Sequence, residues 1–122
     1  MKEAVYDAII IGGGACGLMC AVQAGFLGKK VLLLEKNDKV GAKILISGGG
    51  RCNYTNLYTS ESNFICENQH FVKSALSQWT VEDSISFFEA YGITGKEKTL
   101  GQLFPDSNKA KDVVAVYENL CK

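Results

Sequence analysis

Three glycines near the start of the chain have the spacing of a dinucleotide-binding turn. Gly12, Gly14 and Gly17 form a G-x-G-x-x-G pattern that follows an apolar segment and precedes a helical one. In this pattern the first glycine permits a tight turn, the second lets backbone approach a diphosphate, and the third lets the helix pack close to the strand. Free N–H groups near Ala15 and Cys16, at the positive end of the helix dipole, would bind the diphosphate.

An acidic residue stands where such a site needs a partner for the adenosine ribose. Glu35 closes the second apolar segment, about 20 residues after the glycines. Its carboxylate would accept hydrogen bonds from ribose hydroxyls, and its charge argues against a 2′-phosphate and hence against NADP at this first site. Gly13 within the glycine run and Lys36 after the acid complete this group of candidate cofactor-binding residues. The alternative is that the glycines serve only a tight strand-to-helix corner.

A second segment with ligand-binding character follows Glu35. It begins at Lys43 and includes three consecutive glycines, which let backbone approach a flat ligand or a phosphate without an intervening side chain. Arg51 adds a planar guanidinium, and Asn53 both donates and accepts hydrogen bonds. From these residues alone, the segment is either a second ligand-facing loop or a flexible surface loop. Its candidate cofactor-binding residues are Lys43, Gly49, Gly50, Arg51, Cys52 and Asn53.

These segments need a βαβ unit to position them, and the hydrophobic pattern predicts one. Residues 5–11 are apolar apart from Tyr6 and Asp7, which is typical of a strand buried on both faces of a parallel sheet. Small and apolar residues at helical spacing predict a helix over 15–27 that ends at Gly28. Residues 31–34 predict a second strand, and a right-handed crossover would place it parallel to the first.

The pattern is less regular beyond the second strand. Residues 37–58 are rich in Gly and Asn and lack sustained periodicity, which predicts a long loop that is either functional or disordered. Helices are predicted at about 68–78, from Thr80 to Gly92 with a Thr80/Asp83 capping box, and over 110–120. The first two are expected to bury Phe71, Val72, Ala75, Leu76, Val81, Ile85, Phe88 and Tyr91. Two short strands are expected within 93–104. The predicted fold class is α/β: a Rossmann-like FAD/NAD(P)-binding βαβ unit with additional helices and a short β-hairpin.

Composition argues against several classes of partner. The 122 residues include 13 basic and 13 acidic side chains, which leaves no long-range field to attract nucleic acid or an anionic membrane. No apolar run approaches the ~20 residues that cross a bilayer, and the amino terminus does not resemble a secretory signal. Five cysteines without a C-x-x-C pair argue against disulfides and zinc. We therefore expect a cytoplasmic protein with no nucleic-acid partner, no membrane partner and no metal.

Other reactive or aromatic side chains are interpreted as structural. Cys16 and Cys20 lie one helical turn apart and are expected to form a packing ridge against the sheet. Cys52 lacks a partner at redox-motif spacing, which favours a structural or cofactor-packing role. His70 is expected on the surface rather than as a catalytic base. The expected core aromatics are Trp79, Phe87 and Phe88. No catalytic residue is assigned.

Three segments closely resemble one bacterial flavoprotein family. They are DAIIIGGGACGLMCAVQAG, KVLLLEKNDKVGAKILISGGGRCNYTN and TLGQLFPDSNKAKDVV. The family comprises NAD(P)/FAD-dependent oxidoreductases of the BaiN/RdsA type and aminoacetone-oxidase-like FAD-binding proteins. The resemblance covers essentially the whole chain, and its S-G-G-G-R-C-N-x-T-N run is far more specific than the glycine fingerprint. Many relatives have arginine where Ala42 stands here, so no contact is carried over to that position.

The resemblance implies FAD as the cofactor, with its ADP end at residues 12–17 and Glu35. The loop from Lys43 to Asn53 would then approach the ribityl chain or the flavin, with NAD(P)H as electron donor and a small organic molecule as substrate. Because family members are considerably longer, residues 1–122 are expected to be the N-terminal FAD-binding domain of a longer flavoprotein. Alone, the chain is expected to be incomplete relative to the family fold and catalytically inactive.

Three functions remain open from the sequence. The first is the FAD-binding part of a flavin-dependent oxidoreductase that transfers hydride or electrons between NAD(P)H and an organic substrate. The second is a Rossmann unit that binds NAD directly, with the second glycine run irrelevant. The third is a truncated, catalytically inactive nucleotide-binding fragment or interaction module that self-associates through an exposed sheet edge.

Overall fold

A computed structural model describes residues 3–122 as an α/β fold with two small sheets and five α-helices. The predicted fold class is confirmed. The strands and helices, in chain order, are β1 (Ala8–Ile11), α1 (Ala15–Phe26), β2 (Val31–Leu34), α2 (Ala42–Ile46), β3 (Thr55–Asn56), α3 (Lys73–Gln78), α4 (Val81–Ala90), β4 (Gly95–Glu97), β5 (Gln102–Pro105) and α5 (Ala110–Leu120).

The first three elements form the predicted βαβ unit. β1 and β2 are parallel and in register from Ala8 opposite Val31 to Ile11 opposite Leu34. α1 crosses between them and ends one residue earlier than predicted. Gly28 then adopts a left-handed conformation with φ of 76°, which is the usual role of a glycine just after a helix. The unit therefore directs the Gly12 turn and the end of β2 to the same edge of the sheet.

One face of this sheet is uncovered, which corrects the prediction of a strand buried on both faces. Burial alternates along β1, and Ile9 and Ile11 are 60% and 85% exposed. Leu34 of β2, opposite Ile11, is also exposed. Within residues 3–122, helix α1 covers the opposite face. The apolar run in the sequence shows that both faces of these strands are suited to burial, but it does not show which elements cover each face.

The segment over 37–58 is not an irregular loop, and that prediction was wrong. It contains α2, a 3-10 turn over Ser47–Gly50 and strand β3. Helix α2 has five residues, too few to show a helical repeat. Strand β3 has only two residues and exists because it pairs with β5, which lies far along the chain. Neither element has a local sequence signal.

The predicted β-hairpin is present within a three-stranded antiparallel sheet. Strands β4 and β5 pair antiparallel, with Lys96 opposite Phe104 and Glu97 opposite Leu103. Strand β3 pairs with the other edge of β5, so the strand order is β3-β5-β4. Gly95 lies at the start of β4, where a Cβ atom would collide with the Tyr54 hydroxyl. This sheet lies beneath the second glycine run.

Helix α4 begins as predicted, whereas helix α3 is shorter. The Thr80 Oγ1 atom accepts a hydrogen bond from the Asp83 N–H at 3.2 Å, and Asp83 accepts one from the Thr80 N–H at 2.8 Å. Helix α3 begins at Lys73 rather than near residue 68. Of its predicted buried face Val72 is buried, but Phe71 is 74% exposed. The 68–72 segment is instead held by turns.

The core lies where α1, α4 and α5 meet. Phe87 and Phe88 are buried, as predicted, and their rings pack edge to face at 5.1 Å. Tyr117 of α5 closes this aromatic cluster. Trp79 is 38% exposed rather than buried, and its indole N–H donates to the Ser84 hydroxyl at 2.8 Å. Tyr91 is also partly exposed, which corrects its predicted burial.

The five cysteines are all free thiols. Cys16 and Cys20 are exposed, so the predicted packing ridge against the sheet is wrong. They lie on the outer side of α1, whereas Leu18 and Val22 point into the core.

In the part of the chain that the structure describes, no helix is both long and apolar enough to cross a membrane. No group of three or more metal-ligating side chains occurs within residues 3–122.

Candidate functional site

The glycine turn between β1 and α1 is fixed by backbone hydrogen bonds. The Gly12 N–H donates to the Leu34 carbonyl at 2.8 Å, and Gly12 has a φ of 105° that favours glycine. The Gly13 N–H donates to Glu35 Oε1 at 2.8 Å. The Gly13 carbonyl accepts from the Gly41 N–H at 2.7 Å. Both polar groups of Gly13 are therefore used to join the turn to β2 and to α2.

The glycines of this turn differ in the space around them. A Cβ atom on Gly12 or Gly14 would meet nothing within 4 Å, so open space lies beside both. A Cβ on Gly13 would lie 2.8 Å from Val40 Cγ1 and 3.2 Å from Leu33 Cδ2. On Gly17 it would collide with the Gly12 carbonyl oxygen. Gly13 and Gly17 thus allow close packing, whereas Gly12 and Gly14 border the space where a ligand could approach.

Helix α1 has no side-chain cap at its N-terminus. Gly14 is the N-cap residue and forms no side-chain hydrogen bond, while its carbonyl accepts from the Leu18 N–H at 2.9 Å. The first N–H groups of an α-helix have no partner within the helix. Ala15 and Cys16, in this first turn, are exposed. The positive end of the α1 dipole therefore faces the open space beside Gly14.

Glu35 lies at the end of β2 with both carboxylate oxygens engaged. Oε1 accepts from the Gly13 N–H, and Oε2 accepts from the Asn37 N–H at 2.8 Å. The N–H groups of Asn37 and Gly13 hold the pKa of this carboxyl below its ordinary value of 4.5. Each oxygen retains a further lone pair, so the carboxylate can still accept from a ligand hydroxyl. Lys36 follows it on the surface.

The second glycine run forms a tight turn that packs against β5. Gly48, Gly49 and Gly50 have φ values of 56°, 68° and 85°. A Cβ on Gly48 would lie 2.9 Å from the Phe104 ring and 2.9 Å from the Asn53 backbone nitrogen. Gly49 and Gly50 are exposed and have open surroundings. Lys43 is exposed on α2, one turn before this run.

The residues after the glycines have separate environments. The Arg51 guanidinium is exposed and lies over the Phe104 ring, 5.9 Å from its centroid. Cys52 is 4% exposed and has a φ of 61°, and its burial raises the pKa of the thiol. With its amide nitrogen facing β3 and β5, Asn53 donates to the Leu103 carbonyl at 3.1 Å and to the Thr55 carbonyl at 2.9 Å. Asn53 therefore anchors the turn to the sheet.

The two candidate loops are joined through Gly41. Besides its hydrogen bond to Gly13, Gly41 has a φ of 71° and packs so closely on α5 that a Cβ would lie 2.9 Å from Val114 Cγ2. The structure thus brings the Gly13 turn, Glu35 and the start of α2 together, and α5 supports them from below. Sequence reasoning missed Gly41, Val114 and Phe104. These contacts join distant segments, so local patterns contain no signal for them.

The cavity beside α5 and His70 are separate from the two glycine loops. A cavity of about 680 Å³ lies between the β2 edge and the end of α5. None of the candidate cofactor-binding residues lines it. His70 is exposed in the 68–72 segment, and its backbone N–H donates to Asn68 Oδ1 at 3.0 Å. The glycine loops instead form an open surface, whose polar groups and accessible backbone mark it as the candidate site.

Comparisons with known proteins agree with the α/β fold. Residues 6–122 match the family model described as HI0933-like protein Rossmann domain. The chain is 48% identical over 117 residues to Ribosomal RNA dihydrouridine synthase of Escherichia coli, covering 96% of this chain and 29% of that protein. The protein of that name from Haemophilus influenzae is 49% identical over 113 residues, covering 93% and 28%. A 3-dehydro-bile acid delta(4,6)-reductase of Clostridium scindens is 34% identical over 111 residues, covering 89% and 27%. The chain spans less than a third of the length of these curated relatives.

Proposed function

This chain belongs to the HI0933-like Rossmann-domain family, as its resemblance predicted, and from that premise we propose that it is the FAD-binding part of a flavin-dependent oxidoreductase. The observation that carries the proposal is the junction at Gly13. There an uncapped helix N-terminus, open backbone at Gly14 and the Glu35 carboxylate converge on one exposed surface. These are the groups that a dinucleotide's diphosphate and ribose require.

The residues present fit the ADP end of FAD. The N–H groups of Ala15 and Cys16 would donate to the diphosphate, and the open space beside Gly12 and Gly14 leaves room for it. The free lone pairs of Glu35 would accept from the ribose hydroxyls. FAD, when bound, would supply hydride or electron transfer, while this chain binds and orients it.

The second glycine turn fits the proposed flavin end. Gly49 and Gly50 expose backbone on the turn, and Arg51 presents its guanidinium beside them. The hydrogen bond from the Gly41 N–H to the Gly13 carbonyl joins the start of α2, which leads to this turn, to the proposed diphosphate site, and we propose that a single extended ligand contacts both. We assign Lys36 and Lys43 to the exposed rim of the same surface. Cys52 and Asn53 would act from behind, by holding the turn on the sheet.

For the longer protein we propose the reduction of a uracil base in ribosomal RNA with NAD(P)H as electron donor. Two relatives at 48% and 49% identity have the name Ribosomal RNA dihydrouridine synthase, against 34% for the bile-acid reductase. A nucleic-acid partner revises the expectation from the balanced charge. That charge describes residues 1–122 only, whereas the relatives are more than three times as long.

The uncovered β1–β2 face favours a second proposal, that this chain by itself is not a complete catalytic unit. Ile9 and Ile11 lie on that face and are largely exposed. Parallel sheets are normally covered on both faces, because their connections place helices there. We propose that residues 1–122 form a cofactor-binding domain that self-associates through this face when no further polypeptide covers it.

The test is an absorbance spectrum of the purified chain after incubation with FAD and desalting. We expect flavin bands to be retained by the wild type and lost in Gly14→Ala, whose added methyl would occupy the space beside the diphosphate. Gly25→Ala is the matched control, because its methyl also meets nothing within 4 Å but lies near the far end of α1. Stabilisation of the chain by NAD but not by FAD would support a direct NAD site. Failure to retain either ligand would contradict the proposal for this chain.

A further inference from the structure

Two exposed cations from separate segments meet at one aromatic ring. The Lys98 Nζ atom lies 5.6 Å from the centroid of the Phe104 ring, and the Arg51 guanidinium carbon lies 5.9 Å from it. The two charges are therefore no farther apart than the sum of these distances. Arg51 follows the second glycine turn, whereas Lys98 follows strand β4. The ring positions both cations beside the proposed flavin end of the site.

The antiparallel register adds a third cation to the same face. Lys96 stands opposite Phe104 in the β4–β5 pair, so both side chains project from the same side of the sheet. Glu97 alternates to the other side, opposite Leu103. Lys96 is exposed, as are Lys98 and Arg51. We call these three residues the Phe104 basic face.

None of the three cations of the basic face forms a salt bridge within residues 3–122. The salt bridge found among the described residues joins two others, Lys73 and Glu61, at 4.0 Å. Arg51, Lys96 and Lys98 thus have no carboxylate within that distance in the described chain. A cation–π contact orients a cation without cancelling its charge, so an anion can still bind on its outer side.

We propose that the Phe104 basic face binds the phosphodiester backbone of a single-stranded RNA substrate next to the flavin. This rests on the proposed function, since the RNA substrate is inferred from the relatives. Arginine and lysine are the usual phosphate-contacting residues, and such contacts position a nucleic acid without reading its sequence. An enzyme acting on a base needs that base out of the stack, so contacts to the adjacent phosphates would hold the strand while the base enters.

The experiment measures binding of a short labelled single-stranded RNA to this chain by fluorescence anisotropy at several salt concentrations. Each phosphate contact on a single strand contributes about 0.7 to the slope of log affinity against log salt, so loss of two flattens the slope by about 1.4. Between about 50 and 200 mM salt, the affinity of the K96Q/K98Q variant should therefore fall about sevenfold less than that of the wild type. The variant should also bind more weakly at low salt.

The matched control is K29Q/K30Q. Lys30 also lies over an aromatic ring, 5.0 Å from the Tyr6 centroid, but at the opposite end of the sheet from the glycine turns. The control should retain the wild-type slope, and K96R/K98R should restore it. An unchanged slope in K96Q/K98Q would overturn the proposal. A K96Q/K98Q variant that loses affinity for NADPH but still binds RNA would also overturn it. FAD retention is measured on the same samples. If FAD is not retained and K96Q/K98Q flattens the salt slope, the FAD site alone is refuted. If FAD is retained and K96Q/K98Q leaves the salt slope unchanged, the basic face alone is refuted.

Discussion

Gly13 and Gly14 are adjacent, yet the structure gives an added methyl group opposite effects at the two positions. At Gly13 a Cβ would lie 2.8 Å from Val40 Cγ1, 3.2 Å from Leu33 Cδ2 and 3.3 Å from Glu35 Cβ. All three are tighter than ordinary van der Waals contact, and two of the three atoms belong to the sheet and its end. Relief requires the Val40 and Leu33 side chains to shift or the turn to move, and movement away from β2 would also lengthen the hydrogen bond from the Gly13 N–H to Glu35.

The magnitude follows from overpacking. Inserting a methyl into a filled site costs about 1–3 kcal/mol, and we expect Gly13→Ala to lie within that range. At Gly14 a Cβ meets nothing within 4 Å, and the φ of −82° suits any residue. Gly14→Ala should leave the free energy of unfolding within about 1 kcal/mol of the wild type, because the stiffer unfolded chain offsets the poorer N-cap preference of alanine.

Urea unfolding followed by far-UV circular dichroism measures both variants against the wild type. We expect a lower midpoint for Gly13→Ala and an unchanged one for Gly14→Ala, with equal slopes. The Gly14→Ala variant should fail to retain FAD although its stability is unchanged. Equal destabilisation of the two variants would refute the reasoning, because it would mean that the packing difference between the positions has no energetic weight.

Four further outcomes follow from particular contacts. Within the described residues the Tyr54 hydroxyl is buried without a hydrogen-bond partner, so Tyr54→Phe should raise the urea midpoint by removing a group whose unpaired burial costs about 1–3 kcal/mol. Thr80→Ala removes the cap of α4 and should lower the free energy of unfolding by about 1 kcal/mol, whereas Thr80→Ser should retain it. The pKa of Glu35 is lowered in the folded state, so its stabilisation is complete above the ordinary value of 4.5 and is lost as pH falls through the lowered value. Glu35→Gln should remove that part of the acid dependence in unfolding curves measured at successive pH values, and an unchanged profile would contradict it. Ile9→Lys with Ile11→Lys should lower the self-association seen by sedimentation equilibrium, and the idea fails if the wild type is monomeric at all concentrations.

Elements whose signal is local could be predicted from the sequence. The glycine spacing placed the β1–α1 turn, the Thr80/Asp83 pair placed the start of α4, and the hairpin around Lys98 was found from strand-like patterning. Each of these depends on residues within a few positions of one another. The sheet's uncovered face could not be predicted, because the same apolar run is compatible with one covered face or two.

The candidate site shows the same division. The fingerprint spacing predicts Gly12, Gly14 and Glu35 as candidate residues, because the turn conformation and the proposed ribose contact favour those residue types at fixed positions in the sequence. Asn53 was found as a polar residue, but its contacts with the Leu103 and Thr55 carbonyls depend on β3 and β5 coming together. Lys98 could not be placed near Arg51, since only the folded sheet brings both to Phe104.

The position of Gly41 connects the candidate site to helix α5, which contributes none of the candidate site residues. Gly41 donates to the Gly13 carbonyl while its backbone lies against Val114 in the middle of α5. Val114 is 3% exposed and belongs to the same core as Leu18 of α1. One hydrogen bond therefore joins the first glycine turn to the start of α2, the helix that leads to the second turn, and one close packing contact places that start on α5. A ligand that bridges the turns would bind to a preformed spacing, and its affinity would depend on α5 remaining packed.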